Sequence, residues 1–195
     1  MVTLVILVIA LLAAMISFVV MGIRHLGRAR VLARHSHEQG MRFSREDPFN
    51  IPKRYRDFAL ISCGHSPRAC NVSHGRIDLW NVRAFDFRYE VGHGTRRMTC
   101  HYSAIIIDTR IDLPDVLMWN DADAEHAPLG VREGDGRVDC WCFTGSCALA
   151  DVLKNAADSL APEGLSMQVR GPMLMLTLPA IHRRQWDYTL TRPGG

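Results

Sequence analysis

Charge is missing from the start of this chain. Val2 to Ile23 carries no ionisable side chain, and only Thr3, Ser17 and Gly22 dilute a run of Val, Leu, Ile, Ala, Met and Phe. That absence excludes a surface helix of a globular domain, which keeps polar residues on one side. A helix of this length rises about 33 Å, enough to cross a hydrocarbon core of about 30 Å. A cleaved signal peptide is excluded too: nothing basic precedes the run, and it exceeds the apolar core of roughly 7–15 residues that such peptides use. Arg24-His25 stands where a small-residue cleavage site should be. Residues 1–23 are therefore predicted to be a single transmembrane helix.

Other absences narrow the function. No internal repeat and no low-complexity segment follows the anchor, which excludes a solenoid or a disordered tether. Lys and Arg total 23 against 20 Asp and Glu, a net charge of only +3. The excess lies between Arg24 and Arg56, so the rest of the chain is near neutral, which argues against a general nucleic-acid surface. Gly92-His93-Gly94 is too short for a phosphate-cradling loop. Asp121-Ala122-Asp123-Ala124-Glu125 lacks the central Gly and closing Glu of an EF-hand and is expected to be a solvated acidic loop.

What is present begins with a one-sided basic flank. Arg24, Arg28, Arg30 and Arg34 follow the span, and no basic residue precedes it. By the positive-inside rule the N-terminus faces out and the C-terminal domain is cytoplasmic, a single-pass arrangement in the cell membrane. Residues 24–40 lack Pro and are expected to form a basic juxtamembrane helix, its four arginines beside anionic lipid headgroups and Gly40 as its C-cap. The six cysteines should then be reduced, most of them serving as small buried apolar groups. The sequon Asn71-Val72-Ser73 has no role on that side of a membrane.

Residues 41–180 are predicted to form one soluble domain of α+β class, mainly antiparallel sheet with one amphipathic helix near the C-terminus. Predicted strands are Phe58 to Cys63, a hairpin of Ala69 to Ser73 and Leu79 to Val91 around His74-Gly75-Arg76, then Met98 to Thr109, Val116 to Trp119 and Arg137 to Phe143. A final hairpin, Leu165 to Arg170 with Met173 to Leu178, is expected around Gly171-Pro172. Leu149, Val152, Leu153, Ala156 and Leu160 mark the helix. In the second arm of the first hairpin, Trp80, Val82 and Ala84 are apolar on one parity and Phe85, Phe87, Tyr89 and Val91 on the other. Such a switch requires an extra residue or burial on both sides, so a bulge or bend is expected near Ala84-Phe85. Residues 181–195 form a basic tail.

The stretch Gly64-His65-Ser66-Pro67-Arg68-Ala69-Cys70-Asn71-Val72-Ser73-His74-Gly75, followed by Ala84-Phe85-Asp86-Phe87-Arg88-Tyr89, resembles an uncharacterised family of bacterial membrane-anchored proteins. In that family an N-terminal span and a basic helix ending in Gly precede a "GHS…A.NV..G" segment and an "FDYRY" strand. The likeness covers residues 22–115 and fades in the C-terminal third, and Phe87 stands where the family pattern has Tyr. It implies an anchored domain in a bacterium and carries over no functional residues.

Chemistry would have to come from Cys63, His65, Cys70, His74, Cys100, His101, Cys140, Cys142 and Cys147. Zinc needs four converging N or S ligands. Cys63, His65, Cys70 and Cys100 are the first candidates, but Cys63-x-His65 and Cys140-x-Cys142 lack the spacing of zinc knuckles, and no metal or cofactor is expected. Cys100 and His101 are adjacent in a strand and point to opposite faces, so they cannot form a nucleophilic dyad. Asp86, Arg88 and Glu90 share one face, as a salt-bridge ladder, a ligand stripe or a partner surface. Two functions remain: a binding or scaffold module of unknown ligand and protein partner, held against the lipid bilayer, or a small membrane-tethered hydrolase or metal-dependent enzyme using the Cys/His set. Convergence of that set in a pocket would mark the enzyme.

Overall fold

The computed structural model describes residues 28–94, 97–120, 135–158 and 165–179. The predicted span, Arg24, the loop Asp121 to Glu125 and the tail 181–195 lie outside these residues. No helix among the described residues is long and apolar enough to cross a membrane.

The architecture follows from the parity switch in β3 (Trp80–Val91). Both parities are buried, at opposite ends of the strand. Trp80, Val82 and Ala84 join one apolar cluster, and Phe85, Phe87 and Tyr89 join a second on the other face. β4 (Met98–Asn120) runs antiparallel to β3 in unbroken register from Asn81 opposite Asp108 to Val91 opposite Met98. β4 divides in the same way, with Ile105 and Ile107 in the first cluster and Tyr102, Ala104 and Ile106 in the second. One sheet therefore carries two cores, one on each side.

The expected bulge exists, but in the neighbouring strand β2 (His65–Ile77). Cys70 pairs with Asp86 and Ser73 with Ala84, so Asn71 and Val72 together oppose Phe85. A second bulge sets Ser66 and Pro67 against Tyr89, between the pairs His65–Glu90 and Arg68–Arg88. Ser66 (φ 55°) and Asn71 (φ 52°) take the left-handed conformation that such bulges need. The β2–β3 turn lies at Asp78-Leu79, with Asp78 at φ 50°, and not at His74-Gly75-Arg76. Gly75 is a strand residue instead, with the Met41 side chain packed over it.

Among the described residues the sheet has seven strands, in the order β1 (Arg42–Ser44), β2, β3, β4, β6 (Trp141–Gly145) and β5 (Gly136–Val138), with β7 (Ser166–Pro179) also paired to β4. β1 (Arg42–Ser44) is a short edge strand. The segments expected as strands at 98–109 and 116–119 are one 23-residue strand, bent near Arg110 (φ 55°). The expected final hairpin is likewise one strand, β7 (Ser166–Pro179), both halves of which pair with β4. Gly171 (φ 53°) bends β7 opposite the bend in β4, and the Thr109 hydroxyl donates across to the Pro172 carbonyl at 2.8 Å. Turn-forming residues here bend a ribbon without reversing it. The opposite error occurs at Arg137 to Phe143, where a turn at Asp139 (φ 52°) splits the predicted strand into β5 (Gly136–Val138) and β6 (Trp141–Gly145).

Helices cover the faces. α1 (Arg28–Glu38) ends in a Schellman motif: Gly40 (φ 67°) donates to the His37 carbonyl at 3.0 Å and Met41 to the Ser36 carbonyl at 2.7 Å. It lies on the sheet, burying Leu32 and joining its Ser36 hydroxyl to that of Ser73 at 2.6 Å. α4 (Cys147–Asp158) is the expected amphipathic helix, burying Ala150, Leu153, Ala156 and Ala157 while leaving Val152 exposed. Phe58 to Cys63, expected as a strand, holds the short helix α3 (Ala59–Ser62) instead. Together with α2 (Ile51–Arg54) it lays Ile51, Tyr55, Phe58, Leu60 and Ile61 on the second core. The spacing Ile51, Tyr55, Phe58 is helical, and alternation at Phe58 and Leu60 concealed it. Asp47 fixes this segment by accepting from Phe49 N–H at 2.9 Å and Ile51 N–H at 2.6 Å.

Phe87 lies at the centre of the second core and is 1% exposed. Phe87→Ala is expected to cost about 3–5 kcal/mol, a large share of a marginal domain's stability. A denaturation midpoint equal to that of the parent would show that the second core does not carry the fold.

Candidate functional site

The Cys/His set does not converge. Among the described residues no group of three or more His, Cys, Asp or Glu side chains could hold a metal ion. Cys63 and Cys100 come together, packing partly buried against the second core beside Tyr89 and Tyr102. The two tyrosine rings stack at 5.8 Å, and burial raises both hydroxyls above the ordinary range. Burial, with Cys100 alongside, pushes the Cys63 thiol up to about 11, the wrong direction for a nucleophile. His65 leaves this group and stacks on His93 at 5.3 Å. Cys70 lies on the other side of the sheet, opposite Asp86. Cys100 and His101 occupy successive positions of β4, opposite Tyr89 and Arg88.

The expectation that most cysteines fill the core is corrected. None is fully buried: Cys140 and Cys147 are exposed and the other four are half-buried, all six as thiols outside any disulfide. Cys140 falls in the β5–β6 turn, inside the stretch whose pattern reads as one strand, and Cys147 opens α4.

His74 faces Phe49 edge-on at 4.8 Å. Burial first, then Arg42 and Arg83, lowers its pKa. Arg83 is itself held over the Phe49 ring at 5.0 Å and donates to the Tyr55 hydroxyl at 3.0 Å. Of the predicted membrane-surface residues, Arg30 and Arg34 project from α1 into solvent, Arg34 lying 3.7 Å from Glu38. Arg28 begins the helix.

A concave surface lies elsewhere, on the part of the sheet that the first core leaves uncovered. Beyond Ala84 the same parity of β3 continues as Asp86, Arg88 and Glu90. Arg68 is the direct cross-strand partner of Arg88, and both are exposed. Two adjoining clefts of about 400 and 640 Å³ meet at Pro67, Arg68 and Arg88. Ser66, Glu90 and Thr99 line the smaller, and the loop carrying Arg45, Glu46 and Asp47 lines the larger. That loop is fastened to the bulge at Asn71-Val72, where Asn71 N–H donates to the Arg45 carbonyl at 3.0 Å.

Most of the neighbouring carboxylates are already committed. Asp86 accepts from the Asn71 amide at 2.8 Å, Glu90 lies 3.3 Å from Arg97, and Asp47 caps Phe49 and Ile51. Arg68 and Arg88 make no ion pair or side-chain hydrogen bond among the described residues. Like charges directly opposite on a sheet cost a few tenths of a kcal/mol or more. The sequence pattern had singled out Arg88 within its alternating stripe. It missed Arg45 and Arg68, because only the bulges and the loop bring them beside it.

Two measurements check these assignments. At neutral pH Cys140 and Cys147 should react with a thiol reagent in the folded protein, while Cys63 waits for denaturation. Equal rates for all six would contradict the burial of Cys63. His74 has a folded pKa below its unfolded value of about 6.5. The unfolded chain therefore binds more protons as pH falls through that value, and stability should decline until the folded pKa is passed. His74→Gln should flatten that decline, and an unchanged pH profile would remove His74 as its source.

No family model matches the chain, and no curated protein matches it. A solved structure does: that of the mycobacterial trehalose monomycolate transport factor A, at 19% identity and a TM-score of 0.54. The match covers 85% of this chain and 90% of that one, so the two share a fold along most of their length.

Proposed function

We propose that this protein is a membrane-anchored binding or scaffold module, its sheet domain standing at the cytoplasmic face of the bilayer. The observation that carries this is the dispersal of the Cys/His set. A tethered hydrolase or metal-dependent enzyme would need those side chains gathered in a pocket with a lowered thiol pKa, and Cys63 is raised instead. The clefts are lined by arginines, hydroxyls and carboxylates, a composition suited to binding a polar ligand.

A lipid-related role is supported by the fold shared with a protein named for the transport of a glycolipid, trehalose monomycolate. It is supported also by the uncharged run at 2–23 and the basic flank after it. The docking of α1 on the sheet gives the anchor a mechanical purpose. Leu32 and the Ser36–Ser73 hydrogen bond leave the helix after the span little freedom to swing, so the sheet would be held at a set orientation to the membrane.

Fusion reporters at the C-terminus test the placement. A fluorescent-protein fusion should be bright and an alkaline phosphatase fusion inactive. Active phosphatase would overturn the orientation, and extraction of the full chain by alkaline carbonate would overturn the anchor.

A further inference from the structure

We infer that the cleft at Arg68 and Arg88 is a binding site for a phosphate group. The two guanidinium-bearing residues face each other across β2 and β3 on the open side of the sheet, with Arg45 on the adjoining loop. Their placement is built. Bulges at Ser66-Pro67 and Asn71-Val72 bracket the three-residue stretch carrying Arg68, and each bulge holds a non-glycine residue in the left-handed conformation. Bulges re-aim side chains and recur beside functional sites.

Charge selects the ligand class. Hydrogen bonds from neutral donors orient Asp86 and Asp47 without removing their charge, whereas Glu90 is ion-paired with Arg97. In the smaller cleft Arg68 and Arg88 therefore leave two positive charges that its lining does not offset, which a phosphate dianion matches, while Arg45 in the larger is offset by Glu46 and Asp47. A guanidinium pairs with phosphate oxygens through two parallel N–H bonds, and Ser66 and Thr99 add hydroxyls at the cleft wall. A bound phosphate would also relieve the repulsion between the opposed arginines.

The phosphate could belong to a lipid headgroup or to a free phosphorylated molecule. The test uses the full chain in uncharged dodecyl maltoside micelles, titrated calorimetrically at pH 7.5 with inorganic phosphate and, separately, with dihexanoyl phosphatidic acid. Binding of either supports the site: lipid alone assigns a headgroup, phosphate alone a soluble ligand, and both a site that reads the phosphate itself. In each case Arg68→Gln with Arg88→Gln should weaken binding by about tenfold or more, while Arg30→Gln with Arg34→Gln should not. Arg88→Glu guards against a variant that fails to fold. It places a carboxylate opposite Arg68, so the domain should melt no lower than the parent and still lose phosphate binding. No binding of either ligand at millimolar concentration, or binding that survives in Arg88→Glu, would overturn the inference. It stands apart from the membrane orientation, which the reporter fusions test, so either can fail without the other.

Discussion

Burial of β3 on both faces, but at opposite ends, is the constraint from which the rest of the structure follows. A strand with Trp80, Val82 and Ala84 inward on one side and Phe85, Phe87 and Tyr89 inward on the other cannot lie in a sheet with one dry face. Each end needs its own cover. α1, α4 and the β5–β6 hairpin bring Leu32, Leu153, Trp141 and Phe143 to the first, while the segment holding α2 and α3 brings Ile51, Tyr55 and Phe58 to the second. The same division leaves a strip of each face without a core. On the first face that strip carries Arg88 and its cross-strand partner Arg68.

The bulges in β2 connect this division to the cleft. β3 and β4 stay in continuous register, so the strain of adjusting to a twisted, two-sided sheet is placed in β2, an edge-side strand with only short β1 beyond it. Edge strands accept extra residues because fewer ladder hydrogen bonds are lost. Asn71 serves twice, since its backbone N–H holds the Arg45 loop and its amide engages Asp86. A residue that orients Asp86 while fastening a third arginine to the rim sets the geometry of the cleft.

The same low-dielectric surroundings that stabilise the second core silence its chemistry. Cys63, Cys100, Tyr89 and Tyr102 form a cluster of groups that could in principle ionise, yet burial and mutual repulsion raise the thiol of Cys63 and both tyrosine hydroxyls. Proximity among such acidic groups opposes ionisation, because each anion formed repels the next.

Local pattern determined much of this protein. Residues 2–23 are apolar and uncharged by composition alone, and Gly40 was legible as a helix cap because few residues take a left-handed conformation cheaply. The period of Leu149, Leu153 and Ala156 placed the long helix, and the parity switch at Ala84-Phe85 called for an extra residue or burial on two sides, of which β3 itself takes the second while the extra residue stands in β2. Tertiary structure decided what local chemistry leaves degenerate. Gly171-Pro172 favours a change of direction, but whether the chain reverses or merely bends depends on β4 lying alongside to pair with both halves of β7. Asp139 can sit in a strand or a turn, and the pairing of Arg137 with Cys142 chose the turn. The cleft was least legible of all. Arg45, Arg68 and Arg88 are separated by some twenty residues at each step, and no periodicity links positions that far apart. They meet because two single-residue bulges and one loop hydrogen bond set where each side chain emerges, and such long-range register is fixed only when the strands pair.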